Sequence, residues 1–206
     1  VHWPYCEAKC PYCDFNSHVN EKVNINDWIK SYKNQLLAMK EELIKCNIHF
    51  TNLNTLFFGG GTPSLMPLKI IEHIICISKE IFGFKNDIEI SLETNPSSYD
   101  KTKFIKFKQI GINRLSIGMQ SLNNKYLNFL GRLHNINDAK IALNEALEVF
   151  DNVSVDLIYA FNDQKINDWI KELESFLNTY NLQHLSLYQL TIEEGTKFFK
   201  DHKNGI

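Results

Sequence analysis

Apolar residues recur along this chain with two different periods, and the two periods alternate. In DWIKSYKNQLLAMKEELIKC (27–46), Trp28, Ile29, Tyr32, Leu36, Met39, Leu43 and Ile44 share one helical face, with Asn26 or Asp27 as the expected cap. NTLFFGGGTPS is a short apolar run that stops at three glycines, which predicts a strand and then a tight loop. Positions 67–82 return to helical spacing, with Pro67 in the first turn. In DIEISLETNP, Ile88, Ile90 and Leu92 alternate with acids and serine, a strand signal. A short helix at 100–109 ends at Gly111. Next come a strand in NRLSIGMQS, helical segments at 123–130 and 137–150, and a strand in NVSVDLIYAF. A helix at 165–180 and a strand in QHLSLYQLTI complete the series, and VHWP reads as the end of a first strand.

Six β units with helices between them predict an α/β fold: a parallel sheet covered by helices, joined by right-handed connections. The pattern suits an open doubly wound sheet as well as an incomplete barrel. No low-complexity tract and no Pro/Gly linker interrupts it, so 1–206 is expected to be one domain.

Composition narrows the partners. A net charge of −2 with no basic block gives no footprint for nucleic acid. No apolar run approaches 18 residues, so no transmembrane helix is expected, and no secretory signal is visible. Three of the five cysteines are crowded together, unlike a secreted disulfide framework, which predicts a reducing, cytoplasmic setting. Cys46 and Cys76 stand alone in helical segments and are expected to be small buried hydrophobes.

Chemically pointed residues fall at the strand ends. They are the cysteine loop, Gly59-Gly60-Gly61-Thr62, Glu93, Gln120, Asp156, and Tyr188 with Gln189. Parallel α/β folds place ligands at the carboxyl ends of their strands, so these groups are expected to meet on one rim. Cys6, Cys10 and Cys13 form C-x3-C-x2-C. A zinc site would need a fourth ligand such as His2 or His18. Three thiolates can instead hold three corners of an iron–sulfur cluster; three unliganded thiols are the third alternative. Gly60 and Gly61 would let backbone approach a ligand closely. Glu93 offers acceptors only, Gln120 both donates and accepts, and Arg132 can meet a carboxylate. Asp156, inside an apolar strand, needs a hydrogen-bond partner. His2 is expected to bond the loop, and His134 to sit in a solvated turn.

C-x3-C-x2-C after a first strand, followed by a glycine-rich loop after the second, resembles the radical S-adenosylmethionine (SAM) enzymes. The blocks HWPYCEAKCPYCDFNSH, FFGGGTPSLM, ETNP, GINRLSIGMQSLNNKYLNFLGRLH, VDLIYAF and LSLYQLTIEEGTKF are similar to the oxygen-independent coproporphyrinogen III oxidase family, most of all to its heme chaperone branch.

That resemblance implies a partial (β/α)6 TIM-like barrel of the radical SAM type. It implies a [4Fe-4S] cluster on Cys6, Cys10 and Cys13 whose fourth iron takes the methionine end of SAM. It implies SAM contacts from Tyr12, Gly60, Gly61, Thr62, Glu93, Gln120, Arg132 and Asp156. Oxidases of the family carry a fourth cysteine where this chain has Phe15, which favours a heme chaperone with heme as cargo. Its partners would be a recipient hemoprotein, which a membrane-associated client would satisfy, and an electron donor. The alternative is oxidative decarboxylation of coproporphyrinogen III to protoporphyrinogen IX in porphyrin biosynthesis. Relatives would continue beyond the barrel into a further carboxy-terminal region.

Overall fold

The computed structural model describes residues 1–19, 22–49 and 51–205. The chain starts with three two-residue strands, β1 (His2–Trp3), β2 (Tyr5–Cys6) and β3 (His18–Val19). It continues through α1 (Ile25–Lys45), β4 (Leu53–Gly60), α2 (Leu68–Phe82), β5 (Phe84–Thr94), α3 (Lys101–Gln109) and β6 (Arg114–Gln120). Then come α4 (Asn124–Phe129), α5 (Ile136–Val149), β7 (Asn152–Tyr159), α6 (Ile166–Thr179), β8 (His184–Gln189) and α7 (Lys197–Lys203).

Strands β1, β4, β5, β6, β7 and β8 form one parallel sheet in chain order. That order decides what periodicity left open. A doubly wound sheet reverses direction partway, whereas this one adds every strand on the same side. With right-handed crossovers, such winding sends each helix to the same face. Among the described residues β8 does not pair with β1, so the sheet stays open, as in a partial barrel.

Alternation along the strands gives the sheet two unlike faces. In register lie Phe58, Leu92, Leu115 and Val153, and beside them Leu56 with Ile90 and Ile117 with Val155. These join Ile70, Ile71 and Ile74 of α2, Phe104 and Phe107 of α3, Leu143 of α5 and Phe176 of α6 in one apolar cluster. Each fully buried side chain of this size contributes about 2–3 kcal/mol. The opposite face carries Ser91, Glu93, Ser116, Ser154, Asp156 and Ser186, also in register.

Local chemistry explains most boundaries. Asn24, rather than Asn26 or Asp27, caps α1, its Oδ1 accepting from the N–H groups of Asn26 (3.1 Å) and Asp27 (3.4 Å). Pro67 precedes α2 as its cap residue. A capping box of Asn135 and Asp138 starts α5. Helix α7, capped by Thr196, was not expected from its short apolar pattern. Cys46 and Cys76 are corrected: both are exposed, Cys46 as the cap residue just past the end of α1 and Cys76 on the outward face of α2. No described helix is long and apolar enough to cross a membrane.

Candidate functional site

The cysteine loop is a closed structure in its own right. β2 and β3 pair across it, and the His18 N–H donates to Pro4 O at 2.7 Å. Inside it, the Cys13 N–H donates to Cys10 O at 3.1 Å. Lys9 Nζ reaches across to Phe15 O (3.1 Å) and Ser17 O (3.3 Å). His2 Nε2 donates to Asn16 O at 3.1 Å, as expected of a loop-bonding histidine. Nothing in the sequence pattern singled out Lys9; its signal was a lone cation between two cysteines. None of the three thiols is in a disulfide. Burial pushes the Cys13 thiol up, the nearby Cys10 and Cys6 push it further, and the backbone bond from Phe15 and the Lys9 charge oppose this.

Gly60 ends β4 and Gly61 follows it; both line the cavity of the site, and both also have a reason within the chain itself. Gly60 has φ +115°, and a Cβ there would lie 2.6 Å from His2 Nδ1 and 2.7 Å from Trp3 O. A Cβ on Gly61 would lie 2.7 Å from Tyr5 O and 2.9 Å from Cys6 Sγ. The glycines therefore make room for the chain's own first strand and first cysteine. The Gly61 N–H donates to Trp3 O (2.6 Å), and the Thr62 N–H donates to Tyr5 O (2.9 Å).

Two carboxylates rise from the polar face of the sheet. Glu93 accepts from the Gly60 N–H at 3.2 Å. Burial pushes its pKa up to about 7, the Gly60 bond opposes this, and Asp156 adds to it. Asp156 is raised as well, first by burial, against hydrogen bonds from Ser186 and Ser116 and the charge of Arg114. Ser116 Oγ donates to it at 3.1 Å, so the expected partner of this acid exists. Ser154 Oγ donates in turn to Ser116 Oγ (2.9 Å), and Arg114 Nη2 to Ser154 Oγ (3.1 Å). These serines were visible as the polar half of an alternating pattern, without a role.

The turn after α4 grips the end of β6. Arg132 Nη2 donates to Gly118 O at 3.1 Å, and His134 Nε2 donates to Met119 O at 3.1 Å. Gln120 follows with φ +66°, and its Nε2 lies 2.8 Å from where a Cβ on Gly118 would stand. Two consecutive carbonyls are thus held by one loop while Gln120 turns. His134 is corrected: it is 3% exposed, not in a solvated turn. Burial, helped by the Arg132 charge, brings its pKa down to about 4. Arg132 Nη1 also reaches Cys10 Sγ (3.5 Å) and Tyr12 Oη (3.3 Å). Burial pushes the Tyr12 hydroxyl up, partly countered by Arg132.

Many of these groups open on a cavity of about 360 Å³. Its walls include Cys6, Cys10, Tyr12 and Cys13, then Gly60, Gly61 and Thr62, and then Glu93, Gln120, Arg132, Asp156, Tyr188 and Gln189. Every residue expected to contact the cluster or SAM reaches it, from the cysteine loop, from β4 and the loop after it, from β5, β6 and β7, and from the turn after α4. His2 and His134 stand behind the walls. Three thiols outside any disulfide on one wall, with a half-buried guanidinium beside them whose Nε has no partner, are a donor set that suits a thiolate-held iron–sulfur cluster with an anionic organic ligand.

Comparison with known proteins gives the same picture. The chain is 38% identical over its whole length to "Radical S-adenosyl methionine domain-containing protein 1, mitochondrial" of Mus musculus, covering 45% of that protein. It is 37% identical to "Heme chaperone HemW" of Buchnera aphidicola subsp. Acyrthosiphon pisum, with 97% of this chain and 52% of that protein aligned. The chain thus spans about half the length of these curated relatives. Its fold resembles that of coproporphyrinogen III oxidase (HemN) from Escherichia coli, with a TM-score of 0.80 at 23% identity over 98% of this chain and 45% of that one. The model of the radical SAM superfamily matches residues 1–176, and the chain belongs to that superfamily, which implies a [4Fe-4S] cluster and SAM.

Proposed function

We propose that this chain is the radical SAM core, as one domain, of a heme chaperone that binds heme and passes it to a hemoprotein. The observation that carries the cofactor half is the cavity into which Cys6, Cys10 and Cys13 open beside Arg132 and the Gly60-Gly61 turn. Cys6, Cys10 and Cys13 would hold the cluster. When bound, cluster and SAM together supply one-electron reductive cleavage of a sulfonium bond. Arg132 would neutralise the ligand carboxylate while also facing Cys10. Tyr12, Gly60, Gly61 and Thr62 would shape the near wall. Glu93, Gln120 and Asp156 would meet an ammonium or ribose hydroxyls. Among the described residues no three His, Cys, Asp or Glu side chains gather around one point as a zinc ion would need, whereas a four-iron cluster spreads its thiolates over separate corners.

The cargo half rests on the HemW relatives and on Phe15, exposed at the mouth of the cavity. The test uses the full-length protein with an anaerobically reconstituted cluster, SAM, a reductant, and either heme or coproporphyrinogen III. Stable heme binding without protoporphyrinogen formation supports the proposal; protoporphyrinogen formation overturns it in favour of the oxidase. The Cys10→Ala variant is expected to lose the cluster, and a full four-iron cluster in that variant would remove Cys10 from the ligand set.

A further inference from the structure

Between Cys10 and Cys13 lie Pro11 and Tyr12, and remote parts of the chain grip both. The turn after α4 supplies Gly131, with φ +66°, so close that a Cβ there would stand 2.8 Å from Pro11 Cδ and 3.2 Å from its Cγ. Helix α7 supplies the Phe198 N–H, which donates to Pro11 O at 3.0 Å. Amides in the first turn of a helix have no partner within it, and the loop carbonyl satisfies this one. The Phe198 ring lies against Tyr12 and Phe129, with centroids 6.3 and 4.9 Å apart. Phe129 meets Phe161 edge-on, and Phe161 stacks on Tyr126 at 4.2 Å. Leu130, Ile158 and Phe161 form the buried centre of this second apolar cluster, separate from the main core. Thr196 secures the start of α7: its Oγ1 accepts from the Phe199 N–H (3.1 Å) and donates to Glu193 O (2.6 Å).

We propose that α7 is a latch on the cysteine loop. Phe198 and Gly131 are positioning residues that hold Pro11 and Tyr12, and through them the spacing of Cys10 from Cys13. The inference rests on the cysteine loop being the cluster loop. The segment from Cys10 to Cys13 has one backbone hydrogen bond of its own, so its shape depends on what presses on it. Tyr12 is held on one side by Arg132 and on the other by Phe198. Freed of α7, the loop would open locally at less cost than global unfolding. A cluster in an opening loop surrenders iron to a chelator.

The experiment follows iron release from the reconstituted full-length protein to a ferrous chelator under anaerobic conditions, alongside thermal melting. Phe198→Ala is expected to release iron roughly tenfold faster, which corresponds to about 1.4 kcal/mol of local closure; Phe198→Leu should fall between it and the parent. Phe176→Ala, in the main core, should lower the melting temperature and leave release at the parent rate. Gly131→Asn isolates the second contact, because asparagine accepts a positive φ yet carries a Cβ. It should also speed release, and adding Pro11→Ala should restore the slow rate. A parent protein that never takes up a cluster would refute the assignment of the loop. A loaded parent with Phe198→Ala and Gly131→Asn releasing iron at its own rate would overturn the latch, as would equal acceleration in Phe176→Ala.

Discussion

His134 makes the fold sensitive to acid in a way that can be isolated. Its imidazole is buried, donates through Nε2 to Met119 O, and has no partner at Nδ1. Its pKa falls from 6.5 to about 4, chiefly through burial. A depressed folded-state value means that the fold prefers the neutral ring. The contribution is therefore complete above the unfolded value and is lost as pH falls toward the folded one. Near pH 5 the unfolded chain binds the proton and the fold does not, which costs about 2 kcal/mol relative to pH 7.5. Glu93, raised to about 7, acts in the opposite direction over the same range, so the parent's pH profile alone would not reveal His134. His134→Gln keeps a donor near the Nε2 position and removes the titration. Urea unfolding of the cofactor-free full-length protein, followed by circular dichroism at both pH values, gives the difference. The parent is expected to lose about 2 kcal/mol more than the variant. Equal losses would show that His134 is not held neutral by burial.

Gly61→Ala places a Cβ against the backbone of Tyr5, which cannot rotate away, and close to the Cys6 thiol. It is expected to cost about 1–3 kcal/mol and several degrees of melting temperature, and an unchanged melting temperature would refute the contact. Glu93→Gln should stabilise the cofactor-free protein more near pH 8 than near pH 5, because the native carboxyl's contribution is present below its unfolded value and is lost as pH rises through about 7. A pH-independent difference in denaturant midpoint would contradict the burial of this acid. Arg132→Ala should weaken SAM binding, measured by calorimetry on the cluster-loaded protein, by roughly tenfold or more. Unchanged affinity would take Arg132 out of the binding site.

The succession of helices and strands is legible in the sequence because each element needs only its own period. Isoleucines and leucines two apart, opposite serines and acids, already describe a sheet with one apolar face. The cysteine spacing is equally local, so C-x3-C-x2-C points to thiolate chemistry without a fold. Tertiary structure decided what depends on distant partners. Strand order chose single winding over double winding. Gly60 and Gly61 are required by Trp3 and Tyr5, more than fifty positions away. Arg132 reaches Cys10 across 122 residues, and α7 reaches Pro11 across almost the whole chain. His134 is buried and Cys46 and Cys76 are exposed for the same reason. Which side of a turn or helix faces the core depends on what the rest of the chain packs against it, and no local period carries that information.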